Sequence, residues 1–162
     1  MFFKQGEIFW KLDTSFVGDM MEGAEKISCK AGDVLFEKGN PADNYYILIK
    51  GRVKINIEEV GQVVHTVSHA GESFGWSSLV GRDLYSATAV CSEPTQLMRL
   101  NRGHVEKICQ MHPEKCGLFY KRIAEVLGER LILSYRLLSS TARMESTPTS
   151  GTGQVIETLE PV

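Results

Sequence analysis

The 162-residue sequence holds no run of the roughly 20 apolar residues that a membrane-crossing helix needs. Its start, Met1-Phe2-Phe3-Lys4-Gln5-Gly6-Glu7, lacks a basic flank leading into an apolar stretch, which argues against a secretory leader. Basic charge is not in surplus either: 18 Lys and Arg stand against 20 Asp and Glu. A nucleic-acid binder depends on a basic surplus or stripe, because phosphate contacts dominate its affinity. The C-terminal basic residues Lys121, Arg122, Arg130, Arg136 and Arg143 lie among Glu125, Glu129 and Glu145, and that mixture reads as a solvated helix face. No Walker loop and no paired metal-ligand motif occurs, so the chain is expected to be no enzyme, with no catalytic residue and no metal site. The four cysteines, Cys29, Cys91, Cys109 and Cys116, form no Cys-x-x-Cys pair. They read as buried free thiols in a reducing, cytoplasmic setting, with a redox pair of Cys109 and Cys116 as the lesser alternative.

What is present is ordinary globular composition, 43% hydrophobic and 9% aromatic, in a chain long enough to bury a core without staples. Ile8, Phe9, Leu12, Phe16, Val17 and Met20 recur at helical spacing and predict short amphipathic helices. From Lys26 the period changes to two. Strands are expected around Ile27 and Cys29, at Val34-Leu35-Phe36, at Tyr45-Tyr46-Ile47-Leu48-Ile49, and through Val53, Ile55 and Ile57. Val63, His65 and Val67 continue the series, which ends with Ala87–Cys91 and Gln96–Leu100. Turn residues punctuate it at Ala31-Gly32-Asp33, at 38–44, at Lys50-Gly51 and at Val60-Gly61-Gln62. About eight short strands without intervening helices indicate a sandwich or barrel, not a parallel α/β sheet.

Helical patterning then takes over. Asn101 is a candidate N-cap for a helix whose face carries Val105, Ile108, Cys109 and Met111, and Pro113 begins a long helix that ends near Ser139. Phe119, Ile123, Val126, Leu133 and Leu137 are spaced for a helix-to-helix seam, interrupted by Arg130. A homodimer through helix 113–138 is expected on that basis. Beyond it the Ser, Thr, Gly and Pro of residues 146–153 read as a flexible tail, so the domains are drawn as 1–139 and 140–162. The fold class expected is mainly β with helices: a double-stranded β-helix (jelly-roll) barrel with N-terminal helices and a long C-terminal helix.

Several landmarks occur in a telling order: Ala31-Gly32-Asp33-Val34-Leu35-Phe36, Gly39-Asn40-Pro41-Ala42-Asp43, Tyr46–Val53, Gly71-Glu72-Ser73-Phe74-Gly75 and Arg122–Leu131. Together they resemble the cyclic nucleotide-binding domain family, the effector half of catabolite-activator-type regulators, over roughly Phe9 to Leu138. The resemblance implies a phosphate-binding cassette between Gly71 and Val90, in which helix N-terminal amides and one arginine hold the cyclic phosphate. A glutamate just after the Phe-Gly pair would hold the ribose. Here Trp76 stands at the glutamate position and Tyr85 at the arginine position. Each lost charge-assisted hydrogen bond is worth about 1.5–3 kcal/mol, and an indole accepts none. The two losses amount to a hundredfold or more in affinity, on the order of what turns tight binding into weak.

The candidate ligand-binding residues are therefore Phe74, Gly75, Trp76, Ser77, Arg82, Tyr85, Ser86 and Ala87. Gly75, Trp76 and Ser77 offer amides, Ser86 a hydroxyl, and Arg82 a cation that could swing inward. Trp76 and Tyr85 are expected to face each other across a less polar cavity. Glu72 is read as structural. No cofactor is required; a cyclic nucleotide or another small anion is the possible ligand. The function expected is a small-ligand-sensing regulatory module with altered or lost cyclic nucleotide affinity. The alternatives are a genuine cyclic nucleotide regulator and a ligand-free docking module. Its partners would be a small-molecule effector, a second copy and an unidentified protein. No DNA binding is expected, since no second helical pair follows Leu138, and no membrane association. Haem ligation by His65, His69, His104 or His112 has little support, as these read as surface or turn residues.

Overall fold

A computed structural model describes residues 7–57 and 62–145. The chain divides into two compact units between Val126 and Leu127. The first unit opens with a turn that buries Ile8 and Phe9, then helix α1 (Thr14–Glu22). The helix starts where it does because Asp13 caps it, its carboxylate accepting from the amides of Ser15 and Phe16 at 3.1 Å each. Of the residues read at helical spacing from Ile8 onward, only Phe16, Val17 and Met20 thus lie in the helix.

Eight strands follow: β1 (Glu25–Cys29), β2 (Val34–Phe36), β3 (Asn44–Lys50), β4 (Val53–Ile57), β5 (Gln62–Val67), β6 (Ser73–Phe74), β7 (Thr88–Cys91) and β8 (Thr95–Asn101). They pair antiparallel as two four-stranded sheets, β1-β8-β3-β6 and β2-β7-β4-β5. The ladder of the described residues does not close, so the expected barrel is corrected to a two-sheet β-roll, the arrangement that short strands with alternating faces also allow. The turn expected at Val60-Gly61 lies outside the described residues, as does the tail from 146 to 162.

Phe36, Tyr46, Leu48, Val53, Val67, Phe74, Tyr85, Ala89, Cys91 and Leu97 form one buried cluster. Alternation sends Tyr45 and Ile47 to the other face of β3, and they are buried too, so this strand is covered on both sides. The β3–β4 turn depends on Gly51, at φ +107°. A Cβ there would lie 2.6 Å from Thr95 Oγ1 and 2.7 Å from Pro94 O, so no larger residue fits.

Helix α2 (Arg102–Met111) is capped as expected, with the Asn101 side chain accepting from Gly103 N at 2.9 Å. It buries Val105 and Ile108, but Met111 is exposed, so the expected apolar face ends one turn early. Helix α3 begins at Pro113 and continues to Glu145, six residues past the expected end. Within the first unit Phe119 packs its ring on Phe9 and Phe16, each at 6.0 Å between centroids. Ile123 and Val126 are buried beside it in sequence. In the second unit, Leu131, Ile132, Leu133, Tyr135, Leu137 and Leu138 are all more than half exposed. One expectation about the cysteines fails. Cys109 and Cys116 are joined as a disulfide, while Cys29 and Cys91 are free. No helix of the described residues is long and apolar enough to cross a membrane.

Candidate functional site

The segment from Gly71 to Val90 is organised by its main chain. β6 pairs with β3, placing Phe74 opposite Tyr46 and Ser73 opposite Ile47. Gly75 then turns the chain at φ +80°, ψ +22°, a left-handed conformation that glycine adopts without strain. A single 3-10 turn, Trp76–Ser78, follows, held by Ser78 Oγ donating to Gly75 O at 2.8 Å and Leu79 N donating to Trp76 O at 3.0 Å. The loop that returns to β7 is laced to the turn before β3. Tyr85 N donates to Asn40 O, Gly39 N to Tyr85 O and Ala42 N to Asp83 O, all at 2.8–2.9 Å.

Inside this frame the aromatic rings are packed as a slab. Tyr85 stacks on Phe36 with 3.7 Å between centroids and 12° between planes. Tyr46 stacks on Phe74 at 5.2 Å, and Phe36 joins the two pairs at 5.8 Å from Tyr46 and 6.3 Å from Phe74. Tyr85 is only 5% exposed. Its hydroxyl donates to Asn44 O at 2.6 Å and accepts from Asn44 N at 3.0 Å, so both capacities of the phenol are used on the backbone. Burial pushes its pKa, and that of Tyr46, above the ordinary phenol value. The ring therefore stays neutral and offers no charge to an anion.

A family model described as the cyclic nucleotide-binding domain matches residues 26–112, more than half of the sequence. The chain belongs to the cyclic nucleotide-binding domain family. It is 26% identical over 95 residues to the cAMP-dependent protein kinase regulatory subunit of Dictyostelium discoideum, covering 56% of this chain and 29% of that protein. Among solved structures it is similar to a cyclic nucleotide-binding domain from Methylobacillus flagellatus, with a TM-score of 0.74, 20% identity, and coverage of 96% of this chain and 83% of that one. It is also similar to the Thermus thermophilus catabolite activator protein, with a TM-score of 0.69, 23% identity, and coverage of 85% of this chain and 63% of that one. The chain thus spans under a third of the curated relative's length, and the two structural likenesses, at these identities, speak for the fold.

Within the cyclic nucleotide-binding domain, the candidate ligand residues separate into two groups. Phe74, Gly75, Ser77 and Tyr85 are buried, whereas Trp76 is 38% exposed, Arg82 and Ser86 are exposed, and Ala87 is half-buried. The aromatic partner of Tyr85 is Phe36 from β2, and Tyr85 belongs to the four-ring slab. The cation that ties the cassette loop down is Arg102, which the sequence reading passed over. Its Nη1 donates to Arg82 O at 3.2 Å and lies 3.8 Å from Asp83, while its Nε donates to Glu106 at 2.9 Å. Its place at the start of α2, four residues before Glu106, was the available signal.

Glu72 accepts from the amides of Ser68 at 2.8 Å and His69 at 2.7 Å. Burial pushes its carboxyl up, but these amides and the His69 ring more than offset that and hold it below the ordinary value. It is a turn-forming group, as expected. Gly71-Glu72-Ser73-Phe74-Gly75 has the Gly-x-Ser-x-Gly spacing of a hydrolase nucleophile turn. Ser73 sits on strand β6, 1% exposed, and its Oγ accepts from Tyr45 at 2.6 Å. It is not raised on a strand-to-helix turn toward a substrate. Two of the weighed histidines are bound to α1: His104 Nε2 lies 3.1 Å from Asp19 O, and His112 Nε2 3.1 Å from the Asp19 carboxylate. No group of His, Cys, Asp and Glu suited to a metal occurs among the described residues.

Proposed function

We propose that this chain is a regulatory, non-enzymatic module of the cyclic nucleotide-binding type whose cassette has lost tight affinity for cyclic AMP and cyclic GMP. One observation carries the reading. Tyr85, at the position where the resemblance puts the phosphate-binding arginine, is a buried neutral ring stacked on Phe36 and bonded through its hydroxyl to Asn44. The ring serves the core, and a cyclic phosphate entering beside it would lose its solvation without gaining a countercharge. Any remaining effector would be a less polar small molecule or a weakly held anion at the Gly75–Ser77 amides. The output would pass through a second copy or a protein partner. The exposed apolar residues of α3 between Leu131 and Leu138 support the homodimer seam. A cytoplasmic setting belongs to this reading, as does a domain drawn over 1–139.

Calorimetry with cyclic AMP and cyclic GMP tests it. The wild-type chain is expected to bind at least about a hundredfold more weakly than a Tyr85→Arg/Trp76→Glu variant. Micromolar binding by the wild type, abolished by Arg82→Ala, would instead establish the genuine cyclic nucleotide regulator.

A further inference from the structure

The disulfide between Cys109 and Cys116 spans the joint between α2 and α3. In an unbroken helix, residues seven apart are separated by about 10 Å. Here the Cα atoms are 5.0 Å apart, because His112 leaves helical geometry at φ −133°, ψ +65° and Pro113 contributes no N–H to bridge the break. Few backbone bonds cross or border the joint: His112 N donates to Ile108 O at 3.0 Å and Cys116 N to His112 O at 2.9 Å. Helix α1 braces both sides. His104 reaches it from α2, His112 binds Asp19 at the break, and Lys115 Nζ donates to Asp13 at 2.8 Å from α3. The disulfide is thus a covalent tie, in addition to the main chain, across a point where the helical hydrogen-bond ladder is interrupted.

The free thiol of Cys91 differs in kind. Cys91 is fully buried in β7, with its thiol pushed up to about 11 chiefly by burial, which leaves little thiolate to react. Cys109 is only partly covered, while Cys116 is buried.

We infer that Cys109 and Cys116 form a reversible redox-modification site that locks the α2–α3 joint when oxidised and releases it when reduced. The oxidant is a disulfide, either a small molecule such as oxidised glutathione or a protein disulfide. One cysteine thiolate attacks it, forming a mixed disulfide and expelling one thiolate; the second cysteine attacks the protein sulfur of that bond and expels the other. Two protein thiols are oxidised, one external disulfide is reduced to two thiols, and those thiols take up the two protons. Such a bond suits the cytoplasmic setting, where disulfides are chiefly transient and redox-sensing. The inference stands whether or not a cyclic nucleotide binds.

The test is to equilibrate the full chain with reduced or oxidised glutathione, alkylate free thiols, and locate them by peptide mass spectrometry. Hydrogen exchange and melting are followed in parallel. Reduced glutathione is expected to free Cys109 and Cys116 in the folded protein, and oxidised glutathione to rejoin them. Reduction should lower the melting temperature by roughly 5 °C or more and speed exchange of the amides of 112 and 114–119. Cys109→Ser, at the more exposed end, should show the reduced behaviour in both buffers and keeps the test available if Cys116→Ser fails to fold. A bond that survives reduced glutathione in the folded state overturns the inference, as do cysteines that never join under oxidised glutathione. Opening and closing that leaves exchange at the joint unchanged overturns it as well.

Discussion

Removing the Tyr85 hydroxyl by Tyr85→Phe takes away a donor and an acceptor together. Asn44 O loses its 2.6 Å partner and Asn44 N its 3.0 Å partner, at the start of the central strand β3. Leaving a partly buried amide without its partner costs roughly 1–3 kcal/mol, while the ring and its stacking on Phe36 remain. Tyr85→Ala removes the ring as well and leaves a hole beside Phe36 and Tyr46, for which large aromatic deletions cost about 3–5 kcal/mol. In a domain of this size each kcal/mol corresponds to about 3–5 °C of melting temperature. Thermal melts followed by circular dichroism should therefore show Tyr85→Phe about 5–10 °C below wild type and Tyr85→Ala lower still. The order of the two variants separates the hydroxyl from the ring. If Tyr85→Ala melts with wild type, the ring is not a core element, the space beside Phe36 is open to a ligand, and the case for lost affinity falls with it.

Gly51→Ala should destabilise by roughly 3 kcal/mol, since it adds left-handed strain to a clash with main-chain and Thr95 atoms that cannot move aside, and a urea midpoint near wild type would contradict this. The Asp13 carboxyl is held far below its ordinary value, first by Lys115, then by Ser15 and the Phe16 amide. A depressed carboxylate contributes stability above its unfolded value, near pH 4, and loses it as pH falls toward the folded value. Asp13→Asn should flatten the acid limb of stability against pH, and an unchanged limb would show the pairing to be idle. The proposed seam predicts a wild-type dimer in light scattering at micromolar concentration and a monomer for Leu133→Lys/Leu137→Lys, on exposed turns of α3, with the melting point of the first unit unshifted; a monomeric wild type would refute the seam, and a dimeric variant would move it elsewhere.

Seven of the eight strands were legible because alternation and turn chemistry are local; β6, only two residues long, is too short to show a period. Asn101 and Pro113 were legible for the same reason. The end of α3 was not. Ser139, Ser140 and Thr141 look like a tail, yet their hydroxyls donate to the carbonyls of Tyr135 and Leu137 one turn back, which lets them continue a helix. The aromatic slab was half legible. Tyr85 stood out as a missing arginine, but nothing local ties it to Phe36, 49 positions earlier. Trp76 follows the turn at Gly75 and is 38% exposed, which no local signal in the sequence announced. The Cys109–Cys116 bond ranked only as the lesser alternative, because a reducing setting favours free thiols; the break at His112 brings the two Cα atoms to 5.0 Å.

The cassette loop is fastened by amides and carbonyls of Gly39, Asn40, Ala42, Asp83 and Tyr85, and by Arg102 on the carbonyl of Arg82. Its outward side chains, Arg82, Asp83 and Leu84, carry almost none of that fastening. A fluorophore attached at 82 or 84 would consequently ride on an anchored strip of main chain and report what arrives at the cassette loop without loosening it.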